Sequence, residues 1–291
     1  MYIWVQSITD QIMQLFPPEI LSPYIKHYLF LESGSNQHKK LRLFSDGNTG
    51  MVFLLNEGHL SINESQQLPA SFLYGQISHF QDLALLTQTS FVIIVFQPDG
   101  LYKLLGIAAH ALKDQIIVTQ DVFGPSVIIL YDSLIRAKSS TEKVHALNAF
   151  FYAYAVRQKY PNQGPLPAIL QHITAQKGLV TVGQIVQYSG YTERHMERIF
   201  AEQVGMSPKK FGNIVQFHSF LKLLRSKSAE TSLTTISHES GYFDQSHLIR
   251  AFKKYTGITP SEYLNSTNRL AINFMEFKNA STEMSGLYNF S

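Results

Sequence analysis

No cysteine occurs anywhere in the 291 residues. Disulfide frameworks, thiolate-ligated zinc and thiol nucleophiles are therefore excluded, and a reducing, cytoplasmic setting is expected. Long apolar runs are also missing. The strongest, FVIIVF at Phe91–Phe96, falls far short of the roughly 20 residues a membrane-spanning helix needs. The opening stretch MYIWVQSITDQIMQLFPPEI carries no basic leader, so no membrane partner is expected. Catalytic signatures are absent too: there is no nucleophile elbow, Walker A loop or dinucleotide fingerprint. The Asp99-Gly100 turn reads as a strand-to-helix cap rather than a catalytic acid. His27, His38, His59, His79, His110 and His145 are scattered, without the HxH-plus-acid spacing of a metal site. No catalytic residue, metal or cofactor is expected, and the chain reads as a non-enzyme.

What is present suggests two globular domains. Hydrophobic residues make up 45% of the chain and charged residues 15%, enough apolar side chains for two cores at roughly 100–200 residues per domain. From Leu41 to Thr119 the sequence is rich in β-branched and aromatic residues. The segments Thr49–Asn56, His59–Ser65, Ser71–Ser78 and Leu83–Phe96 read as strands separated by turn formers. Short strands at this spacing favour a barrel or sandwich. From Thr141, read as an N-cap, to Tyr160 the chain reads as a helix, apolar at Val144, Leu147, Phe151, Tyr154 and Ala155. This helix either pairs with its twin in a homodimer or packs on its own barrel. PNQGPLP follows, the best boundary in the chain. The expected organisation is a sensor or dimerisation domain at 1–160, a linker at 161–167, a helical domain at 168–265 and a tail at 266–291. In the tail only Arg269–Phe277 looks helical. The fold class is α+β with two domains, an N-terminal β-barrel with flanking helices followed by an all-α unit. The net charge of +3 is concentrated in the helical part: Leu166–Asn265 holds eleven basic and seven acidic residues, a bias that suits a polyanion.

The helical part contains a repeat. SGYTERHMERIF at Ser189–Phe200 recurs as SGYFDQSHLIRAF at Ser240–Phe252. Arg198 and Arg250, Phe200 and Phe252, Gly205 and Gly257, and Pro208 and Pro260 are each 52 apart, whereas Gly190 and Gly241 are 51 apart. The extra residue therefore lies in a turn. Each copy parses as a short helix, a glycine suited to a left-handed C-terminal position, a cap at Thr192 or Asp244, and a second helix. That second helix is anchored by Met196 and Phe200, or by Leu248 and Phe252, at i and i+4. Thr259-Pro-Ser-Glu262 forms a capping box. The result is two helix-turn-helix units joined by a continuous helix at Ser207–Ser226. Its roughly 18 helical residues span about 27 Å, compatible with probing major grooves about 34 Å apart.

Opposite the anchors, the second helices present Arg194, Glu197, Arg198 and Ala201 in one copy. The other presents Gln245, Ser246, Ile249, Arg250 and Lys253. Arginine can pair with guanine, glutamine with adenine, and glutamate can accept from cytosine, while isoleucine can press on a thymine methyl. An ordinary solvated helix face is the plain alternative for any one of them. His195 and His247 occupy equivalent places beside the core, and neither has a local metal-ligand partner, which favours a packing or phosphate-contact role over metal ligation.

GYTERHMERIF…GMSPKKF and GYFDQSHLIRAFKKYTGITPSEY resemble the AraC/XylS family of transcription regulators over about 100 residues, Leu166–Asn265. The resemblance implies that each second helix enters a major groove of double-stranded DNA. It assigns base reading to Arg194, Glu197, Arg198, Gln245, Ser246, Ile249 and Arg250, and phosphate contacts to Lys209, Lys210, Lys253 and Lys254. Thr192, His195 and His247 join the phosphate set at the helix starts. Gln216 and Phe217, Leu264, and the acidic Glu197 depart from the family's usual residues. LSPYIKHYLFLE, LRLFSDGNTGMVFLLN and VIIVFQPDGLYKLLGI resemble the cupin-like sensor domains of some members. That likeness implies a small-molecule effector or dimerisation through the barrel, with a second copy and RNA polymerase as further partners. Two rival readings are a cupin-like enzyme or metal-binding protein with a regulatory helical tail, and an interaction module that has lost DNA binding.

Overall fold

The computed structural model describes residues 3–6, 10–33, 39–63, 65–85, 88–157, 164–226, 232–271 and 273–277. His38, residues 161–163 of the linker and residues 278–291 of the tail lie outside them. The first part of the chain forms β1 (Ile3–Gln6), β2 (Asp10–Leu15), β3 (Ile25–Ser33), β4 (Lys39–Leu43), β5 (Gly50–Leu54), β6 (Leu60–Ile62), β7 (Gln66–Gln67), β8 (Ser71–Tyr74), β9 (Gln81–Leu85), β10 (Ser90–Phe96) and β11 (Ile116–Val118). Helix α1 (Gly100–Leu105) and a 3-10 turn at Ala109–Leu112 interrupt them. Helices α2 (Thr119–Phe123), α3 (Ser126–Arg136) and α4 (Ser140–Ala155) follow.

Strand β10 explains the layering. Its side chains alternate between two faces, and both faces are buried. Val92, Ile94 and Phe96 meet a core that includes Leu130 and Leu134 of α3 and Leu147 and Phe151 of α4. Phe91, Ile93 and Val95 meet a second core shared with Leu41, Leu60, Leu83 and Leu85. A continuous apolar strand is the expected signature of burial on both sides. The order is helices, then a seven-stranded sheet (β1-β2-β3-β10-β5-β8-β11), then a second sheet containing β4, β9, β6 and β7.

The expected barrel is therefore an open pair of stacked antiparallel sheets. Closing a barrel requires the end strands to pair with one another. Here β11 runs straight into α2 and the helical layer instead. The strand expected over Leu83–Phe96 is two strands, β9 and β10. Helix α4 packs on its own sheet, with Phe151 edge-on to Phe96 at 5.7 Å. Its N-cap is Ser139, not Thr141: the Ser139 hydroxyl accepts from the Glu142 backbone N–H, and the Glu142 carboxylate accepts from that of Lys138.

The second part is helical: α5 (Leu166–Ala175), α6 (Val182–Ser189), α7 (Glu193–Gln203), α8 (Pro208–Ser226), α9 (Leu233–Glu239), α10 (Gln245–Thr256) and α11 (Pro260–Ser266). No described helix is long and apolar enough to cross a membrane. The helices build two clusters. One gathers Met196, Phe200, Phe211 and Ile214 around α5–α7; the other gathers Phe217, Phe220, Leu248 and Phe252 around α9–α11. Helix α8 runs through both.

The stretch Arg269–Phe277, expected to be helical, is a β-hairpin. Strands β12 (Thr267–Ala271) and β13 (Phe274–Phe277) pair antiparallel, and β13 adds to β4 with Phe274 opposite Leu43 and Glu276 opposite Leu41. The second sheet thus reads β12-β13-β4-β9-β6-β7. Successive residues of β13 serve different cores: Phe274 enters the one between the sheets, and Met275 enters the α9–α11 cluster beside Phe44. A salt bridge from Lys39 to Glu276 at 3.2 Å, with both side chains about nine-tenths buried, ties the hairpin to β4.

Candidate nucleic-acid interface

Each helix-turn-helix is locked by local chemistry. The Thr181 hydroxyl and Gln184 form a capping box that starts α6, and Gly190 ends it at φ +72°. The Thr192 side chain then accepts from the His195 backbone N–H to open α7. In the second copy, Ser232 caps α9 and Gly241 takes φ +71°. The Asp244 carboxylate accepts from the His247 backbone N–H at 2.6 Å to open α10. A carboxylate here also complements the helix dipole. The anchors Met196, Phe200, Leu248 and Phe252 are fully buried. They fix which face of each helix turns outward.

On α7, Arg194, Glu197 and Arg198 are exposed. Arg198 keeps a 65% exposed side chain while approaching Glu202 at 3.6 Å and the His195 ring nitrogen at 3.4 Å. His195 is half-buried and stacks on Tyr191, with ring centroids 4.6 Å apart. On α10, Gln245, Ser246, His247 and Arg250 are exposed and Ile249 is half-buried. His247 sits edge-on to Tyr242. Thr192, Lys209, Lys253 and Lys254 are exposed. Lys210 is placed differently: it is half-buried and donates to the Ser78 hydroxyl of the first domain at 3.3 Å. Burial, with Lys113 and Lys254 nearby, lowers its pKa, and Asp114 opposes that shift.

Two features of this face are not signalled by the base-reading pattern. Phe243, the extra residue of the second turn, is 84% exposed immediately before the Asp244 cap. Gln216 donates to the Ser240 carbonyl and steadies the end of α9. Its neighbour Phe217 is fully buried against Phe44, Phe252 and Tyr255. Both family departures on α8 therefore do structural work within the protein.

A cleft of about 1140 Å³ lies between the two domains. Ile12, Leu29, Ile93 and Val95 line it from the sheets, Leu170 and Phe211 from the helices, and Phe274 from the hairpin. Lys26 of β3 and Lys222 of α8 also line it, both exposed, and Asp46 and Asp99 add acidic groups to the lining. Two histidines also face it. His27 is pushed down to about 4, mainly by burial with Lys26 adding and Asp46 opposing. His218 is lowered mainly by burial, and its Nε2 lies 2.8 Å from the Ser45 carbonyl, so Nε2 carries the proton. Among the described residues no group of three or more His, Asp or Glu side chains could hold a metal ion.

Residues 185–266 match the family profile described as "Helix-turn-helix domain", and residues 13–118 match "Domain of unknown function (DUF6597)". A curated relative, an "Uncharacterized HTH-type transcriptional regulator" of Haemophilus influenzae, is 30% identical over 134 residues. That alignment covers 43% of this chain and 44% of the relative, so the chain spans less than half of the relative's length. Among solved structures the chain is similar to ToxT from Vibrio cholerae, at 14% identity, 78% of this chain, 96% of that one and a TM-score of 0.44. It is also similar to unsaturated fatty acid bound ToxT, at 12% identity, 90% and 97% coverage and a TM-score of 0.42.

Proposed function

We propose that the chain is a sequence-specific, double-stranded-DNA-binding regulator of transcription of the AraC/XylS type, a reading supported by the match of residues 185–266 to a helix-turn-helix domain and by the likeness to an HTH-type transcriptional regulator. The observation that carries this reading is the doubled outward face. Two capped helices with fully buried anchors turn Arg194, Glu197 and Arg198, and Gln245, Ser246 and Arg250, to solvent on a domain with an excess of basic residues. Base reading falls to these residues and Ile249. Phosphate contacts fall to Thr192, His195, Lys209, His247, Lys253 and Lys254, with Lys210 joining only if it leaves Ser78. The working units expected at 1–160, 161–167, 168–265 and 266–291 are adjusted at two places: the reader takes in Leu166 and Pro167, which belong to α5, and the first part of the tail supplies β13 to the sensor's second sheet. The protein acts in the cytoplasm without enzymatic activity of its own, and its output is exerted on RNA polymerase.

The effector site is the interdomain cleft. An apolar lining with one exposed lysine from each domain, Lys26 and Lys222, suits an anionic amphiphile that touches both domains at once. A homodimer would use the outer face of the helical layer, where Ile129 is 70% exposed, Val156 56% and Tyr152 48%.

Gel shifts against a duplex selected from random DNA test the reading. Affinity must fall steeply between about 50 and 200 mM salt if several phosphates are gripped. A salt-independent shift would overturn it. For the cleft, dodecanoate should raise the melting temperature and dodecyltrimethylammonium should not, with the rise lost in the Lys26→Ala/Lys222→Ala double variant. An equal response to both amphiphiles would remove the charge argument.

A further inference from the structure

The first domain grips both helix-turn-helix units at equivalent places. Gly205 and Gly257, 52 residues apart in the repeat, follow α7 and α10 with φ of +86° and +76°. A Cβ on Gly205 would lie 3.0 Å from the Ala109 carbonyl oxygen and 3.3 Å from the Gln76 side chain. A Cβ on Gly257 would lie 2.6 Å from both the Arg42 guanidinium and the Phe80 ring. Both turns take a positive φ that favours glycine, and at Gly257 a Cβ would also clash, whereas at Gly205 it would be a tight fit.

Arg42 is only 3% exposed. Its Nη1 donates at 2.9 Å to the carbonyl of Thr256, the last residue of α10. Nε and Nη2 hold Asp82 at 2.5 and 2.7 Å. The rings of Phe80 and Phe277 flank the guanidinium at 4.1 and 4.9 Å. A cation at a helix C-terminus satisfies an orphan carbonyl and complements the dipole. On α7 the corresponding tie is Tyr102 of α1, whose hydroxyl donates to Glu202 at 3.1 Å. The base-reading candidates lie toward the other ends of the same helices, from Arg194 and from Gln245 onward. The two reader clusters share α8 and Tyr255, which packs on both, and Leu179, just before α6, lies against Gly241 in the second turn. The first domain is thus a second strut, additional to α8, joining the C-terminal ends of the two probes.

We propose that this strut sets the spacing and rotational phase of the two reading helices on DNA, and that Arg42 is a positioning residue for spacing specificity. The inference rests on the DNA-reading function proposed above. Its test uses the full chain and a duplex about 30 bp long selected by that chain from random sequence, room for two groove segments roughly 10 bp apart. A companion duplex carries one extra base pair between the segments, turning one against the other by about 34° and shifting it by about 3.4 Å.

The wild type should prefer the unmodified duplex by roughly 10- to 100-fold, the scale of one or two lost bidentate contacts. In Arg42→Met and Phe277→Ala the preference should shrink to within about threefold, with affinity for the unmodified duplex also falling. The ratio between duplexes is the readout, since a loss of folded protein lowers both affinities equally. Arg42→Lys, which keeps the charge but not the fork geometry, serves if Arg42→Met does not fold. Folded variants that keep the wild-type ratio overturn the inference alone. A wild type that selects no duplex overturns the DNA-reading function and this inference with it.

Discussion

Replacing Met275 with alanine probes the seam between the domains. Met275 is fully buried, and its neighbours in the cluster are largely rings, with Phe44 and Phe217 edge-to-face at 6.0 Å. Met→Ala in a core costs about 2–5 kcal/mol, the cost rising with the cavity left behind. The rings of Phe44, Phe217, Phe220, Phe252 and Tyr263 are locked edge-on against one another and cannot collapse easily into the space, so the upper half of that range, about 3–5 kcal/mol, is expected. For a unit of 150–250 residues, each kcal/mol lowers the melting temperature by about 2–4 °C, giving a fall of roughly 6–20 °C. Thermal unfolding followed by circular dichroism measures it. Phe274→Ala, on the opposite face of the same strand, should cost a similar amount and lower the same transition, because one strand serves both cores. A Met275→Ala shift under about 2 °C, the size of an ordinary surface substitution, would refute the packing argument.

Three other outcomes follow from the structure. Asp244→Ala removes the cap of α10 and should cost about 1 kcal/mol in chemical denaturation, with DNA affinity falling further than stability because the fraying turn carries Gln245 and Ser246; equal losses would separate the cap from reading. Arg250→Ala should cost about 1–3 kcal/mol in binding and relax selectivity at one base position, whereas a uniform loss across all sequences would make it a phosphate contact. Burial holds His27 near 4 and lowers His218 in the folded chain, against about 6.5 when unfolded. The unfolded state therefore binds more protons as pH falls from about 6.5 toward 4, and stability must fall across that window. Urea midpoints that are equal at pH 7.5 and 5 would contradict this.

The repeat, its caps and its four anchors were readable in the sequence because local rules determine them. Thr192 and Asp244 cap where a polar residue precedes an i, i+4 apolar pair, and Met196, Phe200, Leu248 and Phe252 are buried as that spacing requires. The hairpin at Thr267–Phe277 was not readable. Its strand character depends on the β4 edge, more than two hundred residues earlier, and no local periodicity announces it. For the same reason Arg42 gave no signal: its partners Asp82, Thr256 and Phe277 are distant in sequence. Sheet closure is also nonlocal, which is why the strand pattern alone suggested a barrel. Lys210 was assigned to phosphate by its place in the family motif, and only the packing of the two domains turns it toward Ser78.

The hairpin also has a consequence for the order of assembly. Strand β4 cannot acquire its neighbour β13 until everything between them, the whole reader included, has been made and folded far enough to bring the hairpin back. Until then Leu41 and Leu43 sit on an open sheet edge, the kind of surface that pairs with whatever strand arrives first. Such a long closure is slow. The newly made chain therefore passes through an interval in which the β4 edge waits for a strand made more than two hundred residues later.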